Sequence, residues 1–246
     1  MRMVIVAILV FCMASAEVFG QDEGDSINQS DDQGLKQGYW VKKHKNGNVS
    51  YEGYFKDDRP VTLMTRYYEN GDVQSTFVYY DNNKACAAHI FYTDSLLMAQ
   101  GLYRGEKRDS TWIFYNDKGV KASTETYQLG VKHGASIVFY ASGTIYEVVK
   151  WKDGKKVGDW KQFFESGNKK VEGNYVDDKL DGWTKFYDVD GTISNEGLYK
   201  SNVKHGPWDH YNDDGTLAMQ QRYNMGHLKN QKEVDAYIEK RKEEEK

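Results

Sequence analysis

Proline and cysteine are nearly missing from this 246-residue chain, and so is any excess of basic charge. Its two prolines, Pro60 and Pro207, fall near expected turns, where a lost ladder N–H does least harm. Its two cysteines are Cys12 and Cys86, and Cys12 lies in a segment expected to be removed. A single remaining cysteine cannot staple the fold through an internal disulfide. The formal net charge of −4 argues against nucleic acid, which demands a basic surface, and lends no support to association with anionic membrane lipid. There is no Gly-rich phosphate loop, no Gly-x-Ser-x-Gly elbow and no His-Glu-x-x-His pair. No apolar pattern of 3.6-residue period reaches a useful length before a glycine interrupts it, which disfavours helix.

What the chain does have is rings and glycines in a strict period. Phe55, Tyr79, Tyr103, Tyr127, Trp151, Tyr175, Tyr199 and Tyr223 lie 24 residues apart without insertion or deletion. A fixed period of this size marks a repeat array. A second register, read as structural, is Gly47, Gly71, Ser95, Gly119, Gly143, Gly167, Gly191 and Gly215, with Ser95 the one departure. A third holds only small residues: Gly38, Thr62, Cys86, Ser110, Gly134, Gly158, Gly182 and Gly206. A fourth, Asp58, Asn82, Glu106, Gly130, Gly154, Asp178, Asn202 and Gly226, favours residues that tolerate a left-handed backbone.

These registers combine into one β-hairpin per repeat. In the segment from Gly158 to Lys179, a short aromatic run meets Ser166-Gly167, a second run ends at Val176, and Asp177-Asp178 turns the chain back. The expected fold is all-β: an elongated, single-layer antiparallel meander of about eight 24-residue hairpins, close to sixteen strands, with a short C-terminal helix. A single layer also accounts for the composition, 39% hydrophobic but 14% aromatic, because rings packing on neighbouring rings must carry much of the stability.

The ends differ from the array. Residues 1–20 read as a signal peptide, with Arg2 before an apolar core from Val4 to Met13 and a cleavage site between Ala16 and Gly20. Export to the periplasm, outer surface or medium of a bacterium is the expectation. Residues 21–37 read as a flexible acidic leader, 38–227 as the array, and 228–246 as a charged helical cap over the last strand. The first repeat carries Lys42-Lys43-His44-Lys45, which reads as protection of an open sheet edge, with a basic anion-binding patch as the alternative.

A search for chemistry yields little. His133 and His205 share a register three repeats apart, too far for a common metal, and read as solvated turn residues. Glu172 and Glu196 fall ~10 Å apart in adjacent repeats and read as braces between strands. Asp188-Val189-Asp190-Gly191 and Asn212-Asp213-Asp214-Gly215 lack the ligands of an EF-hand. Cys86 reads as a small packing residue. No metal, cofactor or catalytic set is expected, and the chain reads as a non-enzyme. The remaining candidates are rings expected on an exposed aromatic face: Trp112, Trp160, Trp208, Tyr175 and Tyr199.

The repeats resemble the MORN repeat family in its bacterial variant. The resemblance rests on Glu172-Gly173-Asn174-Tyr175, Glu196-Gly197-Leu198-Tyr199, Lys132-His133-Gly134 and Lys204-His205-Gly206-Pro207-Trp208, and extends over residues 38–227. Ser95, the apolar Leu96-Leu97-Met98-Ala99 and Lys43 in an aromatic register depart from it. The resemblance implies an elongated hairpin sheet acting as an interaction platform, sometimes at phospholipid membranes. Chains of this variant are often labelled as toxin–antitoxin antitoxins. The expectation is an exported scaffold for a protein partner; the alternatives are a carbohydrate or cell-wall binder and an antitoxin-like partner of a toxin.

Overall fold

The structure, a computed structural model, describes residues 26–81 and 84–244. The signal-peptide expectation for residues 1–20 and the first part of the leader lie outside the described residues. The strands are β1 (Gln29–Ser30), β2 (Lys36–Lys43), β3 (Val49–Lys56), β4 (Arg59–Tyr67), β5 (Val73–Tyr80), β6 (Ala85–Phe91) and β7 (Leu97–Arg104). They continue as β8 (Lys107–Tyr115), β9 (Lys121–Gln128), β10 (Val131–Phe139), β11 (Ile145–Lys152), β12 (Lys155–Phe163) and β13 (Lys169–Val176). The last are β14 (Lys179–Leu180), β15 (Gly182–Tyr187), β16 (Ile193–Lys200), β17 (Val203–Tyr211), β18 (Leu217–Asn224) and β19 (His227–Leu228), followed by one helix, α1 (Gln231–Glu244).

All 19 strands belong to one open antiparallel sheet. Pairing follows chain order, and β14 and β15 are two pieces of one strand that both pair with β13. The sixteen expected hairpin strands are therefore present, with one of them split and a two-residue strand added at each end. β1 lies inside the stretch expected to be a flexible leader; it pairs with Lys36 and Gln37, while Asn28 bonds the backbone of Tyr39 and Val41. The outer edge of β2 is thus partly covered.

Two kinds of turn alternate. In the first, Gly47 N–H donates to the His44 carbonyl and His44 N–H to the Asn48 carbonyl, at 3.1 and 2.8 Å. The same pair of bonds recurs at Gly71, Gly119, Gly143, Gly167, Gly191 and Gly215. The closing residue needs a left-handed backbone: Gly167 has φ +92°, and Ser95 adopts +65° in the same place. In the two-residue return turns of the described residues both central residues have positive φ, as at Asp177 and Asp178 (+47° and +69°), which is the primed geometry that matches strand twist.

Both borders of the sheet are laced from repeat to repeat. On the return side, Asp178 N–H donates to the Lys156 carbonyl and the Asp178 carboxylate accepts from Lys156 N–H, at 3.1 and 2.8 Å. Asp58 does the same to Lys36, and Asn202 to Leu180. On the other side, the hydroxyls of Tyr68, Tyr92 and Tyr140 donate to the carbonyls of Phe91, Tyr115 and Phe163, and the His44 imidazole contacts the Tyr67 carbonyl.

At the C-terminal end, the Asn230 carbonyl accepts Glu233 N–H at the start of α1, and the Asn230 side chain ties that start to β18 by donating to the Gln220 carbonyl and accepting from Arg222 N–H, both at 2.9 Å. Val234 is the buried residue of the helix.

Candidate functional site: an open groove in the second and third repeats

A regular repeat closes one sheet face over itself. The Trp112 indole lies on the backbone of Gly101 in the preceding strand, so close that a Cβ there would stand 2.4 Å from the ring. Trp208 sits likewise on Gly197, at 2.2 Å. Each indole N–H is satisfied by a backbone carbonyl, Leu102 for Trp112 and Leu198 for Trp208, at 2.9 and 3.0 Å. A tyrosine packs edge-on against each indole: Tyr103 on Trp112 at 4.8 Å and Tyr199 on Trp208 at 5.0 Å. A cation then caps the rings, Arg108 at 4.8 Å over Trp112 and Lys204 at 4.1 Å over Trp208. Burial lowers the Lys204 ammonium below its usual range.

The same face between the fourth and fifth repeats uses a half-buried ion pair. Lys132 donates to Glu125 at 2.8 Å, and the Tyr127 hydroxyl also donates to that carboxylate. Burial would raise the Glu125 carboxyl, but the bonds from Lys132 and Tyr127 outweigh it and hold the carboxyl below its ordinary range.

The indole register runs Trp40, Met64, Ala88, Trp112, Ser136, Trp160, Thr184, Trp208. From Trp112 onward only one position separates successive indoles. Between Trp40 and Trp112 there are two, Met64 and Ala88, and both are smaller. The cap is lost at the same place: Pro60 stands where Lys36, Arg108, Lys132 and Lys156 supply cations. Lys84, next in that register, belongs to a longer turn closed by its N–H on the Asp81 carbonyl at 3.0 Å. β6 pairs with β5 without the register shift that β4, β8, β10, β12 and β17 show after their return turns.

The result is an open groove of about 700 Å³ with Phe77, Tyr79 and Tyr103 among its walls. No cation lies over these three rings among the described residues. Arg59, Arg66 and Lys84 stand exposed on its margin against one acid, Glu106, and none of the three makes an ion pair among the described residues. Burial raises the Cys86 thiol and the Tyr79 phenol above their ordinary values, with Arg66 drawing the phenol back down. A second hollow of about 390 Å³ shares Arg66 and adds Lys42, His44, Tyr51 and one acid, Glu69. Tyr51 pairs across strands with Lys42 on one side and Arg66 on the other, so the two hollows adjoin.

The reverse face has its own pattern. Glu52 accepts the hydroxyls of Tyr39 and Tyr67 at 2.7 and 2.5 Å; Glu196 accepts Tyr211 at 2.9 Å; Glu172 accepts Tyr187. The bond to Glu196 pushes the Tyr211 phenol up to about 12. Behind the groove this face carries apolar side chains in a row: Tyr39 pairs with Tyr54, Leu63 with Val78, and Val78 with Ala87. Tyr54, Leu63 and Val78 are 47, 50 and 47% exposed.

The expectation of an exposed aromatic face is corrected for its tryptophans. Trp112, Trp160 and Trp208 are only 0, 9 and 1% exposed, because each indole sits on its own repeat array under neighbouring rings. Tyr175 and Tyr199 are half-buried. His133 lies 3.4 Å from Asp153, and His205 accepts Met225 N–H at 3.4 Å. Asp190 and Asp214 accept from Thr192 and Thr216 within their own turns. Among the described residues no group of three His, Cys, Asp or Glu side chains could hold a metal. Sequence reasoning missed the groove residues Arg59, Arg66, Lys84, Phe77 and Tyr79. Their signal was present as two consecutive gaps in the indole register beside Pro60 in a cation register.

Residues 156–177, one hairpin from β12 through the turn after β13, match the family model described as MORN repeat variant. The chain matches no curated protein.

Proposed function

We propose that this is an exported, non-enzymatic scaffold that binds a protein partner in the envelope of a bacterium. The observation carrying this reading is that the first three repeats leave apolar surface uncovered on both faces: the groove of repeats two and three on one, and the row of Tyr54, Leu63 and Val78 from repeats one and two on the other. Exposed apolar surface of this kind rimmed by charge is characteristic of interaction sites. The match at residues 156–177 supports it, since MORN repeats are generally protein- or membrane-interaction repeats. The apolar Val4–Met13 segment behind Arg2 supports export. The carbohydrate alternative rested on open tryptophans, and burial of Trp112, Trp160 and Trp208 takes that support away.

The test is quantitative affinity capture with the chain lacking residues 1–20. A partner held by the wild type should be lost from Leu63→Asp, from Arg66→Glu or from both, with folding verified by circular dichroism. Recovery of the same proteins by wild type and both variants alike would sink the reading. N-terminal sequencing of protein from the periplasmic fraction should begin after a residue between Ala16 and Gly20.

A further inference from the structure

We propose that the groove between the second and third repeats receives an acidic segment of the partner, with an apolar side chain seated on the rings and carboxylates on the flanking cations. This deepens the protein-binding reading above and rests on it. The floor argues for the apolar anchor: Phe77 and Tyr103, 6.4 Å apart, and Tyr79 beside Phe77 present ring surface that no internal cation caps. In the fourth and eighth repeats the equivalent surface is closed by an indole and by Arg108 or Lys204, so the array itself shows what chemistry fills this space.

The margin argues for the acidic flanks. In a chain of net charge −4, Arg59, Arg66 and Lys84 gather around one hollow against the lone Glu106. An incoming cation would find ring faces but also three like charges; an incoming carboxylate finds charge-assisted hydrogen-bond donors. Arg66 belongs to both hollows, so an extended segment crossing from one to the other passes Lys42 and then Arg66, with Glu69 the single acid of the second hollow. Electrostatic complementarity of this kind steers encounter and selects partners.

The test is fluorescence anisotropy of the chain lacking residues 1–20 against a fluorescein-labelled peptide of aspartate and glutamate around one central phenylalanine. Saturable binding is expected, weakened at least about tenfold by Arg66→Glu and by Lys84→Glu, equivalent to about 1.4 kcal/mol each. Lys118→Glu, a charge reversal in a distant turn, should leave it unchanged. Replacing the central phenylalanine by alanine should weaken binding, and a lysine counterpart should not bind. The proposal is overturned if no peptide binds saturably, if the alanine peptide binds equally well, or if the groove variants match the wild type. Binding to phosphatidylserine vesicles with no peptide binding would assign the groove to lipid and overturn it too. If captured partners are lost from Leu63→Asp but kept by Arg66→Glu, the groove inference fails while the protein-binding reading stands.

Discussion

The second and third repeats and the fourth to eighth share one backbone plan but solve the problem of a single-layer sheet differently. A sheet with no second layer must bury its rings against itself. From Trp112 onward an indole on every other hairpin lies over a glycine or valine of the preceding strand, and Trp112 and Trp208 also lie under a charged cap. Between Trp40 and Trp112 the array has Met64 and Ala88 in succession, with Pro60 in place of the cap. The backbone stays paired, yet the face opens. Self-packing and binding surface are thus two uses of one set of positions, exchanged by a few side chains.

The sharpest way to break this contrast is to truncate one ring in each region. Trp112→Ala, at a fully buried indole, should destabilise by about 3–5 kcal/mol. Phe77→Ala, at a half-buried groove wall, should cost clearly less in the same urea titration. Equal losses would mean that the two regions pack alike. Gly197→Ala should also be costly, about 1–3 kcal/mol, because the new methyl meets the Trp208 ring rather than solvent.

Turn geometry gives the next contrast. Gly167→Val places a β-branched residue at φ +92° and should lower stability by about 1–3 kcal/mol. Ser95→Gly, in the third repeat, relieves a serine held at φ +65° and should stabilise by about 1 kcal/mol. His133→Ala should stay within about 0.5 kcal/mol. Coincident thermal midpoints for all three would contradict the turn assignment.

The smallest effect is in acid. The Tyr187 hydroxyl, with Lys169, holds the Glu172 carboxyl below its ordinary range against the opposing effect of burial. A carboxyl depressed on folding stabilises fully above its unfolded value of about 4.3, and that stabilisation fades as pH falls through the lower folded value. Below about pH 4.3 the wild type should therefore lose stability more steeply than Glu172→Gln. The groove region has Thr76 and Gln100 at this register, so the difference should appear in tryptophan fluorescence, which reports mainly on the regular half.

Much of the fold was readable because the period acts on the backbone. Gly167 and Asp178 announce their turns through residue type alone, and the strands between them follow. The face of each ring was not readable in the same way. Trp160 and Trp208 look like exposed surface residues in a polar chain until Val149 and Gly197 are recognised as their seats, each eleven residues earlier on the preceding strand. The groove was harder still, because it is produced by residues that break the pattern rather than by any motif. Pro60, Ala88 and Lys84 carry no chemistry that a motif would flag, and only the packing of their neighbours gives them meaning.

The lacing at the two borders has an architectural corollary. Each tie joins residues 22 or 23 positions apart, from the Lys156 amide to Asp178 and from Tyr140 to the Phe163 carbonyl. Excision or duplication of one complete unit would set each return-turn N–H, as from Gly105, Gly130 and Asp178, against an equivalent backbone carbonyl, so the ribbon can change length in whole modules. Loss of a single residue within a strand would turn inside out every side chain of that strand beyond the cut.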